Sequence, residues 1–184
     1  MKSNCNVPNL YKIDDNVYRS GQPTEAGINV LCQNKYIKTV INLEKFHSDP
    51  VIQCLNEFHI LQIPFNPLPP FENKKMIDEE VIKVMRILSH KENGPFLIHC
   101  LHGSDRTGLM SAMYRILFCE GWDKEKAIDE MENGGYGFNA QMYDHFIDYI
   151  NSANIEKLRD AIPVKAKFGC AQQGNPPVPC SSGR

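Results

Sequence analysis

The chain has 184 residues, 42% of them hydrophobic, with a formal net charge of −2 and a pI near 6.3. That is the length of one ordinary domain able to bury its own core without disulfides or metal. The charge gives no electrostatic footprint for nucleic acid, whose binders usually carry a strongly basic face, so any anion site must be local. No stretch of about eighteen apolar residues and no signal-like opening occurs, so neither a membrane span nor a Sec leader is expected.

In chain order, "NLYKIDDNVYRSGQPT" reads as two short strands around the turn at Asp14, Asp15 and Asn16, followed by a helix from Pro23-Thr24 to about Cys32. "KTVINLE" (38–44) is a buried strand. A short helix from about Asp49 to Phe58 leads into "HILQIPF" (59–65), a second buried strand, and then into the breaker-rich loop "NPLPPFENKK". "IDEEVIKVMRILSH" is an amphipathic helix whose Ile77, Val81, Val84, Met85 and Leu88 form one stripe. "PFLIHC" is the next strand, and a helix from about Arg106 to Glu120 stops at Gly121. Helical segments over about 123–132, 139–153 and 155–162 complete the pattern, with "NGGYGFN" as a joint in which Tyr136 and Phe138 plug the core.

This alternation predicts an α/β fold. One domain covers residues 1–162, and 163–184, rich in Pro, Gly and Ser, forms an extended or flexible tail. The seven cysteines are odd in number and lack C-x-x-C pairs, which favours reduced thiols and a cytoplasmic location, with export by a dedicated secretion system left open.

The chemistry concentrates in "HCLHGSDRTG" (99–108). A thiol at a strand end, five loop residues and a helix N-terminus make an anion cradle, because backbone amides converge there and the helix dipole is positive. The amides of Leu101, His102, Gly103, Ser104, Asp105 and Arg106 can circle one tetrahedral oxyanion, with Gly103 supplying the positive φ such a loop needs. Arg106 adds a planar fork for two oxygens. The same field favours the thiolate of Cys100, a nucleophile towards a bound phosphate. His99 can orient the loop, and Thr107 can donate to the sulfur. His102 faces the mouth of the cradle, and Arg19 with Gln22 either braces the turn or touches substrate. A Cys-His metal cluster at Cys100 is a poor tetrahedral set, so no metal or cofactor is expected.

"HCLHGSDRTG" resembles the H-C-x5-R-[ST]-G loop of the cysteine-dependent protein tyrosine phosphatase superfamily, and "VYRSGQPT" (17–24) resembles a segment of its atypical dual-specificity members of bacterial and plant type. The resemblance covers roughly residues 10–150. It implies a dual-specificity phosphatase-like fold, a mixed central sheet of about four to five strands flanked by helices, and hydrolysis of phosphate monoesters through a phosphocysteine, with Tyr, Ser or Thr of proteins as the expected phosphate carriers. In most relatives an aspartate on a separate loop protonates the leaving oxygen. The corresponding stretch here offers only Glu72 and Asp78, and Asp78 reads as a helix N-terminal residue. Asp105 is therefore preferred as the acid, with Glu72 second. Its "DRT" setting resembles lipid phosphatases, whereas Leu101 and Ser104 stand where a polyphosphate specialist is expected to carry lysines. Phosphoinositides or inositol phosphates are thus the alternative substrates, and a rhodanese-like sulfurtransferase or an inactive phosphate-binding module the alternatives of another class. Cys54 is a candidate resolving thiol for oxidised Cys100.

Overall fold

Runs of β-branched and aliphatic residues form the strands, and their alternation decides which helices each face of the sheet meets. The computed structural model describes residues 6–33, 37–50, 57–66, 74–163 and 169–170. β1 (Tyr11–Lys12) and β2 (Val17–Ser20) are antiparallel, joined by a turn in which Asp14 Oδ1 accepts from the amides of Asn16 and Val17 at 2.8 Å each. β3 (Thr39–Asn42), β4 (His59–Gln62) and β5 (Phe96–His99) add in parallel, giving the order β1-β2-β5-β3-β4. This is the mixed five-stranded sheet expected from the sequence.

Val40 of β3 and Leu97 of β5 pack on Ile28 and Leu31 of α1 (Glu25–Gln33), whose first turn is capped by Thr24 Oγ1 accepting from Gly27 N at 3.1 Å. Their neighbours Ile41 and Ile98 face the opposite way, into the larger core formed with α2 (Lys74–Ser89) and α3 (Asp105–Phe118). The predicted stripe of α2 is buried in full. α3 is buried from Thr107 to Phe118, which explains why its sequence shows no polar face. α4 (Lys124–Asn133), capped by Asp123, α5 (Ala140–Ser152) and α6 (Ile155–Asp160) close that side.

The register decides where a site can form. Ser20 and Asn42 both stand opposite His99, so β2, β3 and β5 end at one level. The loops that follow them meet at the carboxyl edge of the sheet, where parallel sheets bind ligands.

Several expectations need correction. β4 is an edge strand with His59, Leu61 and Gln62 exposed, because among the described residues only β3 flanks it, rather than a buried strand. Asp78 lies inside α2 and accepts from Tyr149 OH at 2.9 Å, so it does not begin the helix. The proposed helix after Asp49, with Cys54, and the loop carrying Glu72 fall largely outside the described residues.

The thiols are not all reduced. Cys119 at the end of α3 is bonded to Cys170, with Cα atoms 5.4 Å apart, and Cys32 is disulfide-bonded as well. Pairing across 51 positions comes from the tertiary fold, which spacing in the sequence does not display. The bridge ties Cys170, within the segment read as a free tail, to the domain. Among the described residues Cys100 is the free thiol. Cys119→Ser is expected to lower the unfolding free energy by up to about 4 kcal/mol, the chain-entropy value for a loop of that size. Urea melts measure it, and an unchanged midpoint would mean that the bridge restrains nothing. No helix among the described residues is long and apolar enough to cross a membrane.

Candidate active site

Cys100 directly follows β5, is 2% exposed, and its Sγ accepts from Gly103 N at 3.3 Å. Gly103 has φ 75°, and a Cβ there would lie 2.5 Å from the backbone of Ser20 and Gly21, so both conformation and space require glycine. The loop is held from behind. Arg19, fully desolvated, donates from Nη2 to Gly103 O at 2.8 Å and stacks 3.8 Å above the Tyr136 ring. Carbonyl and amide point opposite ways in a trans peptide, so a carbonyl held behind the loop turns the next amide to its other side. Arg19 is thus placed as a brace. Asn9 Nδ2 adds bonds to His102 O at 3.1 Å and Tyr136 O at 3.0 Å.

Two carboxylates that sequence reasoning missed grip the loop ends. Glu44, almost fully buried, accepts through one oxygen, Oε1, from Leu101 N at 2.6 Å and from Arg106 Nη2. Asp49 Oδ2 pairs with His99 Nε2 at 2.9 Å, both side chains wholly inaccessible, while its Oδ1 accepts from Gln22 Nε2 at 2.6 Å. Gln22 N also donates to Leu101 O at 3.0 Å, so Gln22 braces the turn. Both acids belong to "EKFHSD", the loop after β3, which Asn42 folds by accepting from Glu44 N at 2.7 Å and donating to His47 O at 3.0 Å. The signal available in the sequence was two acids directly after a buried strand. Their partners become visible only when β3 is paired with β5.

The remaining expected residues divide. Ser104 donates its hydroxyl to Tyr136 O at 2.9 Å, leaving its amide as the group available to a ligand. Thr107 is completely buried with Oγ1 unpaired among the described residues, so the expected bond to the sulfur is absent from this state. Leu101 and His102 are exposed on the loop. Asp105 opens α3, and its Oδ1 accepts from Asn139 N at 2.9 Å, tethering the start of α5. Burial raises the Asp105 carboxyl above the usual carboxylate range, opposed by that bond and by the charges of His102 and Arg106. Tyr143, at a non-helical position in α5 and stacked on Phe146, also borders the site; burial and then the field of Asp105 raise its phenol. Among the described residues one group of metal-type donors occurs, Asp14 with Cys119 and Cys170, and its two sulfurs are bonded to each other.

A buried thiol beneath the Gly103 amide, an arginine six positions on, and a helix starting between them come together at the carboxyl edge of the sheet. A profile of the tyrosine phosphatase family matches residues 6–168. The chain belongs to the tyrosine phosphatase family. It is 36% identical over 155 residues to the dual specificity protein phosphatase TpbA of Pseudomonas aeruginosa, a match covering 84% of this chain and 66% of that relative. The chain thus spans just under two thirds of that relative's length. The crystal structure of P. aeruginosa TpbA is similar at a TM-score of 0.68 with 32% identity, covering 88% of this chain and 99% of that one. A second TpbA structure, in complex with pTyr, gives 0.66 at 30% identity over 88% and 98%. The PP-IP phosphatase SIW14 from S. cerevisiae shares the fold, with a TM-score of 0.63 at 19% identity over 83% and 90%. In this family member a cysteine and an arginine stand six positions apart, at Cys100 and Arg106.

Proposed function

We propose that the chain is a dual-specificity protein phosphatase that hydrolyses phosphate monoesters through a phosphocysteine on Cys100. The observation that carries this reading is the Cys100 sulfur held beneath the Gly103 amide, with Arg106 at the far end of the same loop. The similarity to TpbA, known in complex with pTyr, supports it.

In the first step the Cys100 thiolate attacks phosphorus, an S–P bond forms as the ester P–O bond breaks, and the departing oxygen takes a proton. In the second, water attacks the same phosphorus and gives a proton to the carboxylate left by the first step, while the S–P bond breaks and the thiolate leaves. The loop amides and Arg106 stabilise the equatorial oxygens in both steps. Thr107, buried beside the loop with its hydroxyl uncommitted, is suited to receive the sulfur's charge as it leaves.

Asp105 is the proposed acid. Its desolvation keeps the carboxyl protonated to a higher pH than an ordinary aspartate, so the alkaline limb of kcat is expected above the usual carboxylate range. Asp105→Asn retains an oxygen for the Asn139 amide but not the proton. It is expected to cut turnover about 10²-fold or more on a phosphopeptide and far less on an activated aryl phosphate. Equal losses on both would assign Asp105 to the tether alone.

Exposed Leu101 in the loop supports peptide substrates over inositol polyphosphates, and Phe46, 83% exposed two residues beyond Glu44, points the same way. Phosphate release from phosphotyrosyl, phosphoseryl and phosphothreonyl peptides, phosphoinositides and inositol phosphates tests the reading. Release confined to the inositol compounds would replace it with the alternative, and turnover of thiosulfate with cyanide would replace the reaction itself. The disulfides support a compartment in which thiols oxidise over the cytoplasm that the cysteine count suggests.

A further inference from the structure

We propose that Glu44 is an internal stand-in for the substrate: its carboxylate occupies donors of the phosphate cradle in the free protein and is displaced when an oxyanion binds. The inference rests on the phosphatase reading of the same loop.

An amide has one hydrogen, and the Leu101 N–H, first in the loop after Cys100, is directed at Glu44 Oε1 at 2.6 Å. The same oxygen accepts from Arg106 Nη2. One anionic oxygen thus gathers a loop amide and a guanidinium N–H, the pair of donors that an equatorial phosphate oxygen takes in such a cradle. The arrangement is built into the chain. Glu44 N donates to Asn42 Oδ1 at 2.7 Å, fixing the backbone at the end of β3, and the side chain of Glu44 is only 4% exposed.

Glu44 therefore neutralises Arg106 while the cradle lacks substrate, since a partly buried guanidinium is stabilised by a counter-charge beside it. A phosphate dianion brings two charges and several acceptor oxygens against one carboxylate, so it can take over the Leu101 amide and Arg106. Glu44 then swings towards His47, whose Nδ1 already lies 3.8 Å from Oε2. Lys45, next in the chain, is turned over the Phe46 ring, and Tyr143 and Asp105 lie within electrostatic reach of Arg106. Oxyanion affinity is accordingly set by exchange of one anion for another, and weakly charged anions are rejected.

The test uses the full chain and tungstate, an oxyanion that is not hydrolysed. Glu44→Gln keeps the size of the side chain and an acceptor for Leu101 N but removes the competing charge, and is expected to bind tungstate at least about tenfold more tightly by calorimetry. Equal or weaker binding overturns the proposal and makes Glu44 a fixed brace. A crystal structure of the wild-type tungstate complex reads the same point without a variant. Leu101 N is expected to donate to a tungstate oxygen, and Leu101 N still on Glu44 would overturn it. If the wild type releases phosphate from phosphopeptides while either result fails, only the exchange is lost. Absence of both tungstate binding and phosphate release removes the phosphatase reading and the exchange together.

Discussion

Cys100→Ser is expected to lower phosphate release by at least about 10⁴-fold, because a serine hydroxyl in place of the thiolate neither attacks phosphorus nor leaves from it at neutral pH. The fold gives the substitution little else to disturb. Cys100 is 2% exposed, its sulfur is contacted by Gly103 N, and an oxygen accepts from that amide equally well. Phosphopeptide affinity is therefore expected to persist, and the variant should trap bound substrate. Steady-state release measured beside direct binding separates the two properties. Release within tenfold of the wild type would place the nucleophile elsewhere, whereas loss of binding together with release would mean that the sulfur shapes the loop.

Arg106→Lys is expected to reduce kcat by about 10²–10³, the magnitude seen when one preorganised donor to a developing oxyanion is removed. The charge is retained, so the loss reads out geometry. Arg106 gives Nη2 to Glu44 and directs Nη1 at Leu43 O and Phe65 O at 3.4 and 3.5 Å, which orients the plane of the guanidinium towards the loop. An ammonium group on a flexible stem cannot hold the Leu43 and Phe65 carbonyls and two phosphate oxygens together. The variant's kcat should fall more than its KM rises, since the fork matches the transition state. A loss below tenfold would show that positive charge alone suffices at this position.

Much of the cradle is legible in the residues alone. Cys100, Gly103 and Arg106 stand at spacings set by the size of a tetrahedral oxyanion, and the strand before them and the helix after them follow from local patterning in "PFLIHC" and the run beyond Arg106. The role of Arg19 is half legible. "VYRSGQPT" marks the segment, but the choice between brace and substrate contact needs the Ser20 to His99 register that lays β2 beside β5. Asp105 is legible as an unusual residue, and its bond to Asn139 is not, since that partner lies 34 positions away.

The residues by themselves determined the α/β class, the buried face of α2 and the place of the candidate nucleophile Cys100, all properties set within one element or one turn. Tertiary structure alone decided which strands are edges, which cysteines pair and which acids serve the loop. β4 is exposed because nothing among the described residues pairs beyond it, although its residues read as a buried strand. Cys119 and Cys170 pair because the chain after α6 returns to the end of α3. Glu44 and Asp49 reach Arg106 and His99 because β3 lies parallel to β5 and ends level with it, and alignment of two strands more than fifty residues apart leaves no trace in either segment's own sequence.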